Sequence, residues 1–309
     1  MRTDDLSGAR GTGQLARLTR QVAAALDGVR LYAWRSGVDY WADLAYRGDT
    51  LLGVVRSPRH ESLATGYEGT VDFGAVLEKE VAVLALLAGH GIPVPPVRAW
   101  HRRRGPDELS WMLYDYVPHE PDSTLTPALR RQLGAITRDI HAIVTDHPSL
   151  VPDRAWPDYM ARRLHERLTS AARYCPELVA DEVLAVAGPL LKGRSEVSLA
   201  LLHMDLRAAN VCVRQGQIVA VLDVANAIGG DPLLELARIR NYGLLTTEFC
   251  AGYGWPAQAL RDVASVLDLY ELDTAALLTV VAAEETNDQA LLASSQRRVR
   301  ELSAALLHR

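Results

Sequence analysis

LLHMDLRAANVCVRQGQIVAVLDVANAIGGDP, residues 201–232, is the stretch that decides the fold. Two short apolar segments, VCV (211–213) and IVAVLDV (218–224), flank Gln215-Gly216 and read as a β-hairpin set among helix-patterned sequence. Ahead of them stands His203-Met204-Asp205-Leu206-Arg207-Ala208-Ala209-Asn210, and thirteen residues after Asn210 comes Asp223 at the end of the second apolar segment. The spacing puts one carboxylate on a loop, an amide at the start of a strand and a second carboxylate at the end of the next. An isolated His-x-Asp or a lone Asp carries little. Four such residues at matching spacing between strand-like segments point to a catalytic loop.

Working outward, residues 1–117 read as a strand-rich region. LYAWRSGVDYWADLAYRGDTLLGVVRSP (31–58) alternates around turn signals at Ser36-Gly37 and Arg47-Gly48-Asp49, as antiparallel strands do. Residues 74–90 carry Val76, Leu77, Val81, Leu84 and Leu87 at helical spacing, with Gly89 near the stop. GIPVPPV then forces extended backbone, because proline fixes φ and biases its predecessor away from helix. SWMLYDYV (110–117) has strand character. From Pro118 onward the pattern is amphipathic helix. Thr126-Pro127 starts one with a hydroxyl cap and a first-turn proline, and others are expected over about 155–174, 178–192, 233–253 and 258–307. The expected class is α+β and bilobal: a small antiparallel-sheet lobe over 1–117, a larger helical lobe over 118–309, and a cleft between them as the natural ligand site.

Composition narrows the chemistry. The chain has 309 residues, 49% hydrophobic and 23% charged, with a formal net charge of −5. It has no apolar run of eighteen residues, which excludes a spanning helix, and its polar N-terminus lacks the apolar core of a signal peptide. Three scattered cysteines make a disulfide framework or a cysteine zinc site a poor fit and suit a cytoplasmic setting. A pI near 6.0 argues against nucleic acid as partner. Of 33 basic residues only Lys79 and Lys192 are lysine, so a mechanism needing a lysine has two candidates.

The loop matches the H-x-D-L-x-x-x-N pattern and the downstream metal-binding aspartate of kinases. The segment resembles the aminoglycoside phosphotransferase family, small-molecule kinases with a protein-kinase-like fold. That family's loop often reads HGDLHPGN, followed by a strand ending in IDW or IDF and then GDP. Here HMDLRAAN is followed by VLDVANAIGGDP and LLELARI. Upstream, LLGVVRSP resembles the strand with the basic phosphate ligand, Glu80-Val-Ala-Val-Leu-Ala-Leu-Leu the helix with its glutamate, and WMLYDYVP the hinge. The resemblance covers roughly residues 30–255. It implies Asp205 as base or orienter for a substrate hydroxyl, and Asn210 and Asp223 as oxygen donors to Mg2+, which prefers such ligands beside substrate phosphates. It further implies Arg56 on the nucleotide phosphates, paired with Glu80; Ser36 and Gly37 in the phosphate-covering turn; and the backbone of Asp115 and Val117 on the nucleobase. ATP is the implied donor, with GTP open because bulky Tyr114 sits where it would guard the base pocket.

The chain departs from the pattern in places. Neither lysine falls on the phosphate-binding strand, which leaves Arg56. Met204 and Arg207 replace the usual small residue and histidine of the loop, and WRSGVDYW is poor in glycine. His203 reads as a structural hydrogen-bonding residue, and Asp231 as a brace for the loop or a cap on the next helix. Residues 1–117 carry 14 basic and 14 acidic side chains, and 118–309 carry 19 and 24, so the whole excess lies in the second lobe. Glu284, Glu285 and Asp288 form one acidic cluster there, either a solvated helix face or, with Arg207, part of an acceptor site for a cationic antibiotic. The expected function is phosphorylation of a hydroxyl on a small natural product, most readily an antibiotic of aminoglycoside-like, nucleoside or basic-peptide type, by a monomer or homodimer with no membrane partner. A metabolite kinase acting on choline, homoserine, a fructosamine or a sugar, and a non-catalytic pseudokinase module, are the rival readings.

Overall fold

The computed structural model describes residues 12–65, 69–121 and 124–308. The chain divides into two compact units, one running to His119 and taking back Val219–Ala225, the other made of Glu120–Ile218 and Asn226–Arg309.

In the first unit, α1 (Thr12–Ala25) precedes β1 (Val29–Ser36), β2 (Tyr40–Arg47), β3 (Thr50–Pro58), β4 (Ser62–Thr65) and β5 (Gly69–Asp72); α2 (Phe73–Gly89), β6 (Val97–His101) and β7 (Trp111–Tyr114) follow. Five strands form an antiparallel sheet in the order β1-β2-β3-β7-β6, and β4 pairs with β5. The three strands read from residues 31–58 and the one from 110–117 are all present. Helix α1, which pattern alone did not assign, places Leu18 and Val22, one helical turn apart, in a core with Val29, Leu31, Ala45, Val55, Trp111 and Leu113. Strand β3 can lie against β7 only because residue 53 is glycine: a β-carbon there would stand 2.1 Å from the Tyr114 carbonyl oxygen. Asp72 caps α2 by accepting from the Ala75 amide at 3.0 Å. The buried stripe of α2, Phe73, Leu77, Glu80, Leu84 and Leu87, includes one carboxylate, at Glu80.

The second unit begins with α3 (Pro127–His141), capped by Thr126 as its sequence predicts, and continues with α4 (Trp156–Ala172) and α5 (Ala180–Lys192). Then come β8 (Ala200–Leu202), a 3-10 turn at Ala208–Asn210, β9 (Val211–Arg214), β10 (Gln217–Val221) and β11 (Ile228–Gly230). Gln215 and Gly216 both have positive φ, 52° and 71°, the left-handed pair that a tight hairpin turn demands. Strands β8 and β11 pair with each other; three residues each are too short to show alternation, and the sequence reading lacks them.

The remaining helices are α6 (Pro232–Asn241), α7 (Thr247–Tyr253), α8 (Ala257–Asp262), α9 (Ala264–Glu284) and α10 (Gln289–Leu307). The helix expected over 233–253 is therefore two, broken at Gly243 (φ 69°) and restarted by the Thr246 cap. The one expected over 258–307 is three; Asn287 has φ 48° and Asp288 begins α10 by accepting from the Ala290 and Leu291 amides. Close approach of α3 and α7 needs glycine on both sides. A β-carbon at Gly134 would meet the Phe249 carbonyl oxygen at 2.1 Å, and one at Gly252 the Arg131 carbonyl oxygen at 1.9 Å. Helix α9 is central and carries buried Asp268, Glu271 and Asp273. Asp273 pairs with Arg163 and Arg167, Asp268 with Arg240, and Glu271 with Arg240 and Arg298. No helix among the described residues is long and apolar enough to cross a membrane.

Candidate active site

Two groups of candidate side chains stand together, one in each unit. In the first unit Arg56 lies on the central strand β3, opposite Ala42 on one side and Met112 on the other. Its guanidinium donates to Glu80 at 3.0 Å and to Asp223 at 2.8 Å, and its central carbon lies 4.1 Å from the centre of the Tyr40 ring. Asp223 has φ 64°, a backbone state that Asp tolerates better than most residues. The Tyr40 hydroxyl donates to the Phe73 carbonyl, and burial foremost pushes its phenol pKa up. Glu80 is 2% exposed, and burial pushes its carboxyl up to about 7; Arg56 opposes that shift and the charge of Asp223 adds to it. Two buried polar atoms of this cluster, Arg56 Nε and Glu80 Oε2, have no hydrogen-bond partner among the described residues.

In the second unit the loop 203–210 is fixed from behind by Glu235 on α6. One carboxylate oxygen accepts from the Met204 amide at 2.7 Å; the other accepts from the His203 amide at 3.0 Å and from His141 Nε2 at 2.9 Å. With Nε2 donating, His141 Nδ1 is left to accept from the Tyr253 hydroxyl at 2.8 Å. Burial works against the Glu235 charge, but the His141 and backbone hydrogen bonds hold its carboxyl below the ordinary value. The grip keeps Met204 at φ 67°, a conformation that glycine would adopt without strain. His203 accepts from the Asp205 amide at 3.2 Å, a structural role as its sequence context suggests.

Asp205 is thereby presented at the loop tip and ringed by donors. Asn210 Nδ2 reaches both its backbone carbonyl (2.9 Å) and Oδ2 (2.7 Å). Arg207 Nε lies 3.2 Å from Oδ2, and the Tyr242 hydroxyl donates to Oδ1 at 2.8 Å. Behind Tyr242, Arg238 donates through Nε to that hydroxyl at 3.0 Å and holds a terminal nitrogen 3.7 Å from Oδ1.

The other residues singled out from sequence occupy more local settings. Ser36 closes β1 opposite Trp41, and the Gly37 amide donates to the Tyr40 carbonyl, so the two form the β1–β2 turn. The Asp115 amide donates to Pro96 while its carboxylate pairs with Arg98, and the Val117 carbonyl accepts from His119. Glu284 takes Arg173 and Tyr174, Asp288 caps α10, and Glu285 ends α9, so two of the three acids expected to face an acceptor already serve the fold. Asp231 caps α6 through the Leu233 amide and pairs with Arg194. Bracing of the loop falls to Glu235 instead. Glu235, Arg238, Tyr242, His141 and Tyr40 were not found from sequence. Glu235 had a signal: an acid inside the apolar run LLELARI, just after the GDP tripeptide.

Among the described residues no three His, Cys, Asp or Glu side chains converge as a metal cluster. The candidate donors are oxygen atoms, Asn210 Oδ1, whose amide nitrogen is committed to Asp205, and the carboxylate of Asp223. Each is the kind of oxygen donor that magnesium takes beside phosphate and water.

Comparison with known proteins places this arrangement. The model of the phosphotransferase enzyme family APH matches residues 74–293. No curated protein sequence matches the chain. Among solved structures, aminoglycoside phosphotransferase APH(2'')-Ib with ADP is 15% identical, with a TM-score of 0.63 over 94% of this chain and 99% of its own. A thermostable mutant of APH(4)-Ia in ternary complex with AMP-PNP and hygromycin B is 17% identical, with a TM-score of 0.67 over 93% and 98%. A GDP complex of a mutant aminoglycoside 2'-phosphotransferase-IIIa is 15% identical, with a TM-score of 0.66 over 94% and 98%. These likenesses carry the α+β, protein-kinase-like fold, and the family match carries the class: the chain belongs to the APH phosphotransferase enzyme family.

Proposed function

We propose that the protein transfers the terminal phosphoryl group of ATP or GTP to a hydroxyl of a small-molecule natural product, with antibiotic inactivation as its first candidate role. The observation that carries this reading is the donor ring around Asp205. Asn210 and Arg207 occupy Oδ2, whereas among the described residues Oδ1 takes a hydrogen bond from the Tyr242 hydroxyl alone, so a lone pair of Oδ1 is left to orient an acceptor hydroxyl and take its proton. Phosphoryl transfer asks for positioning and charge neutralisation more than covalent help. Arg56 supplies cationic charge and an unpartnered Nε–H for phosphate oxygens, and Glu80 with Tyr40 fixes its plane. Asn210 and Asp223 would hold magnesium, which supplies charge neutralisation on the phosphates when bound. Gly37, with Ser36, and the backbone of Asp115 and Val117 are the candidate phosphate-turn and nucleobase contacts.

The nucleotides in the related structures (ADP, AMP-PNP, GDP) and the aminoglycosides named with them support this donor and acceptor class. The test is mass measurement of products after incubation with ATP or GTP, magnesium and a panel of antibiotics and hydroxylated metabolites, beside growth of a sensitive strain carrying the gene. A gain of one phosphate on one compound, lost in Asp205→Asn, is expected. Product formation undiminished in Asp205→Asn rejects the role given to Asp205, and resistance without any phosphorylated product returns the chain to a binding module. A metabolite kinase is the second reading, favoured by the two arginines that flank Asp205.

A further inference from the structure

The side chains around Asp205 are largely cationic or phenolic. Arg207 is half-exposed, at 47%, and spends only Nε on Asp205, which leaves its two terminal amino groups as a planar fork. Arg238 is nearly buried, and its hydrogen bond runs through Nε to Tyr242. Arg163, already bound to Asp273, lies within electrostatic range of Arg238. Of the acids nearby, Glu235 has both oxygens spent on the His203 and Met204 amides and His141, and Asp273 is held by Arg163 and Arg167. Taking Asp205, Arg207 and Arg238 together, the formal local charge is one positive.

An ammonium group brought beside Asp205 would meet two guanidiniums at close range. A carboxylate or phosphate would meet the terminal amino groups of Arg207, unspent among the described residues, with Arg238 on the other oxygen of Asp205, and such a planar fork binds these groups in pairs of parallel hydrogen bonds. We propose that the acceptor carries an anionic group, a carboxylate or phosphate monoester, beside its reacting hydroxyl, and that Arg207, with Arg238 behind it, is the subsite that reads it. The inference rests on the phosphotransferase reading of Asp205 and narrows its substrate class.

Arginine reactivity tests it without turnover. The full chain, with its nucleotide site filled by ADP and magnesium, is treated with phenylglyoxal, and adduct formation at Arg207 is followed by peptide mass spectrometry. Probes are 4-hydroxybutyrate and inorganic phosphate, against 1,4-butanediol, kanamycin and sodium chloride of matched ionic strength. Either anionic probe at about twice its Kd should slow Arg207 modification about threefold, as expected for simple occupancy, while the controls leave it unchanged. Arg238→Gln should raise the probe concentration needed for that protection about tenfold, and unchanged cooperative unfolding of the variant shows that the fold is retained. Absence of protection by both anions overturns the proposal. So does protection by ATP in place of ADP, or by inorganic phosphate but not 4-hydroxybutyrate, either of which would assign the fork to the transferred phosphoryl group. Calorimetric binding of ATP reads the kinase assignment separately, so a chain that binds nucleotide but shows no anion protection loses only the subsite.

Discussion

Met204 shows how a single residue can hold opposing costs. A side chain at φ 67° costs about 1–2 kcal/mol relative to glycine, yet this side chain is 2% exposed, and removing a buried methionine costs about 2–5 kcal/mol. Packing wins by this comparison. Met204→Gly should therefore destabilise the protein, by about 1–3 kcal/mol after the strain relief is subtracted, as read from the midpoint of urea unfolding. A stabilised variant would show that relief of the left-handed backbone outweighs the lost packing. Spacing marks Asp205, Asn210 and Asp223 because each bears a side chain that is unusual for its setting. Tyr242 escapes it because a tyrosine just past the end of α6 looks ordinary until that helix is docked, whereas Arg238, like Glu235, is a charge inside the apolar run LLELARI. In the sequence Arg56 is one basic residue among 33; its contacts with Glu80, Asp223 and Tyr40 make it a tightly constrained side chain of its unit.

At the scale of elements, α6 sets the geometry of the loop. Its N-terminus is fixed by Asp231, one turn on Glu235 grips two loop amides, and at its C-terminus Arg238 and Tyr242 reach Asp205. Glu235→Gln keeps the shape of the side chain but has one acceptor oxygen for three donors, the amides of His203 and Met204 and His141 Nε2. At least one buried donor is then unpaired, at a cost of about 1–3 kcal/mol, and Asp205 loses its fixed position. The expected result is a fall in kcat with an unchanged Kd for nucleotide; a fall in nucleotide affinity alone would place Glu235 outside loop positioning. Helix α9 gives a second case. Asp273→Ala leaves Arg163 and Arg167 without their shared carboxylate, and breaking a buried pair of this kind costs about 3–5 kcal/mol. Asp273→Asn, by keeping acceptor capacity, should lose less in the same denaturant titration. Periodicity identifies the helical half but runs α6 into α7 and α8 through α10 together. Apolar spacing continues across Gly243 and Asn287, and only their left-handed backbone and the caps at Thr246 and Asp288 break the chain there.

Over the whole molecule, the five excess negative charges of the second half look available, in sequence, for a cationic ligand. Folding commits several acids of that half to arginine pairs around α9, an outcome that composition cannot reveal because pairing depends on which helices meet. The α+β class and the strand-rich and helical halves were legible, since they follow from local periodicity and turn chemistry. The return of Val219–Ala225 to the first unit was not, since it depends on a contact such as that of the Val221 amide with the Pro93 carbonyl, distant in sequence. That return brings Asp223 to Arg56, beside a carboxyl that gives the molecule a pH response with a definite sign. Glu80 has its folded carboxyl pKa raised to about 7, so the native state keeps a proton that the unfolded chain releases at lower pH. Its contribution is fully present below the ordinary glutamate value and is lost as pH rises through about 7. Glu235, held below the ordinary value, acts in the opposite sense: its contribution is present above that value and lost as pH falls through its folded pKa. Unfolding free energy should therefore decline between mildly acidic and neutral pH, by on the order of 1–3 kcal/mol from Glu80. Glu80→Gln has no such proton to release. Subtracting its urea-unfolding profile from that of the parent protein, measured from about pH 5 to about pH 8, isolates this group from everything the two proteins share. A downward difference curve is the expected result, and a flat one would mean that Arg56 fully compensates the burial of Glu80.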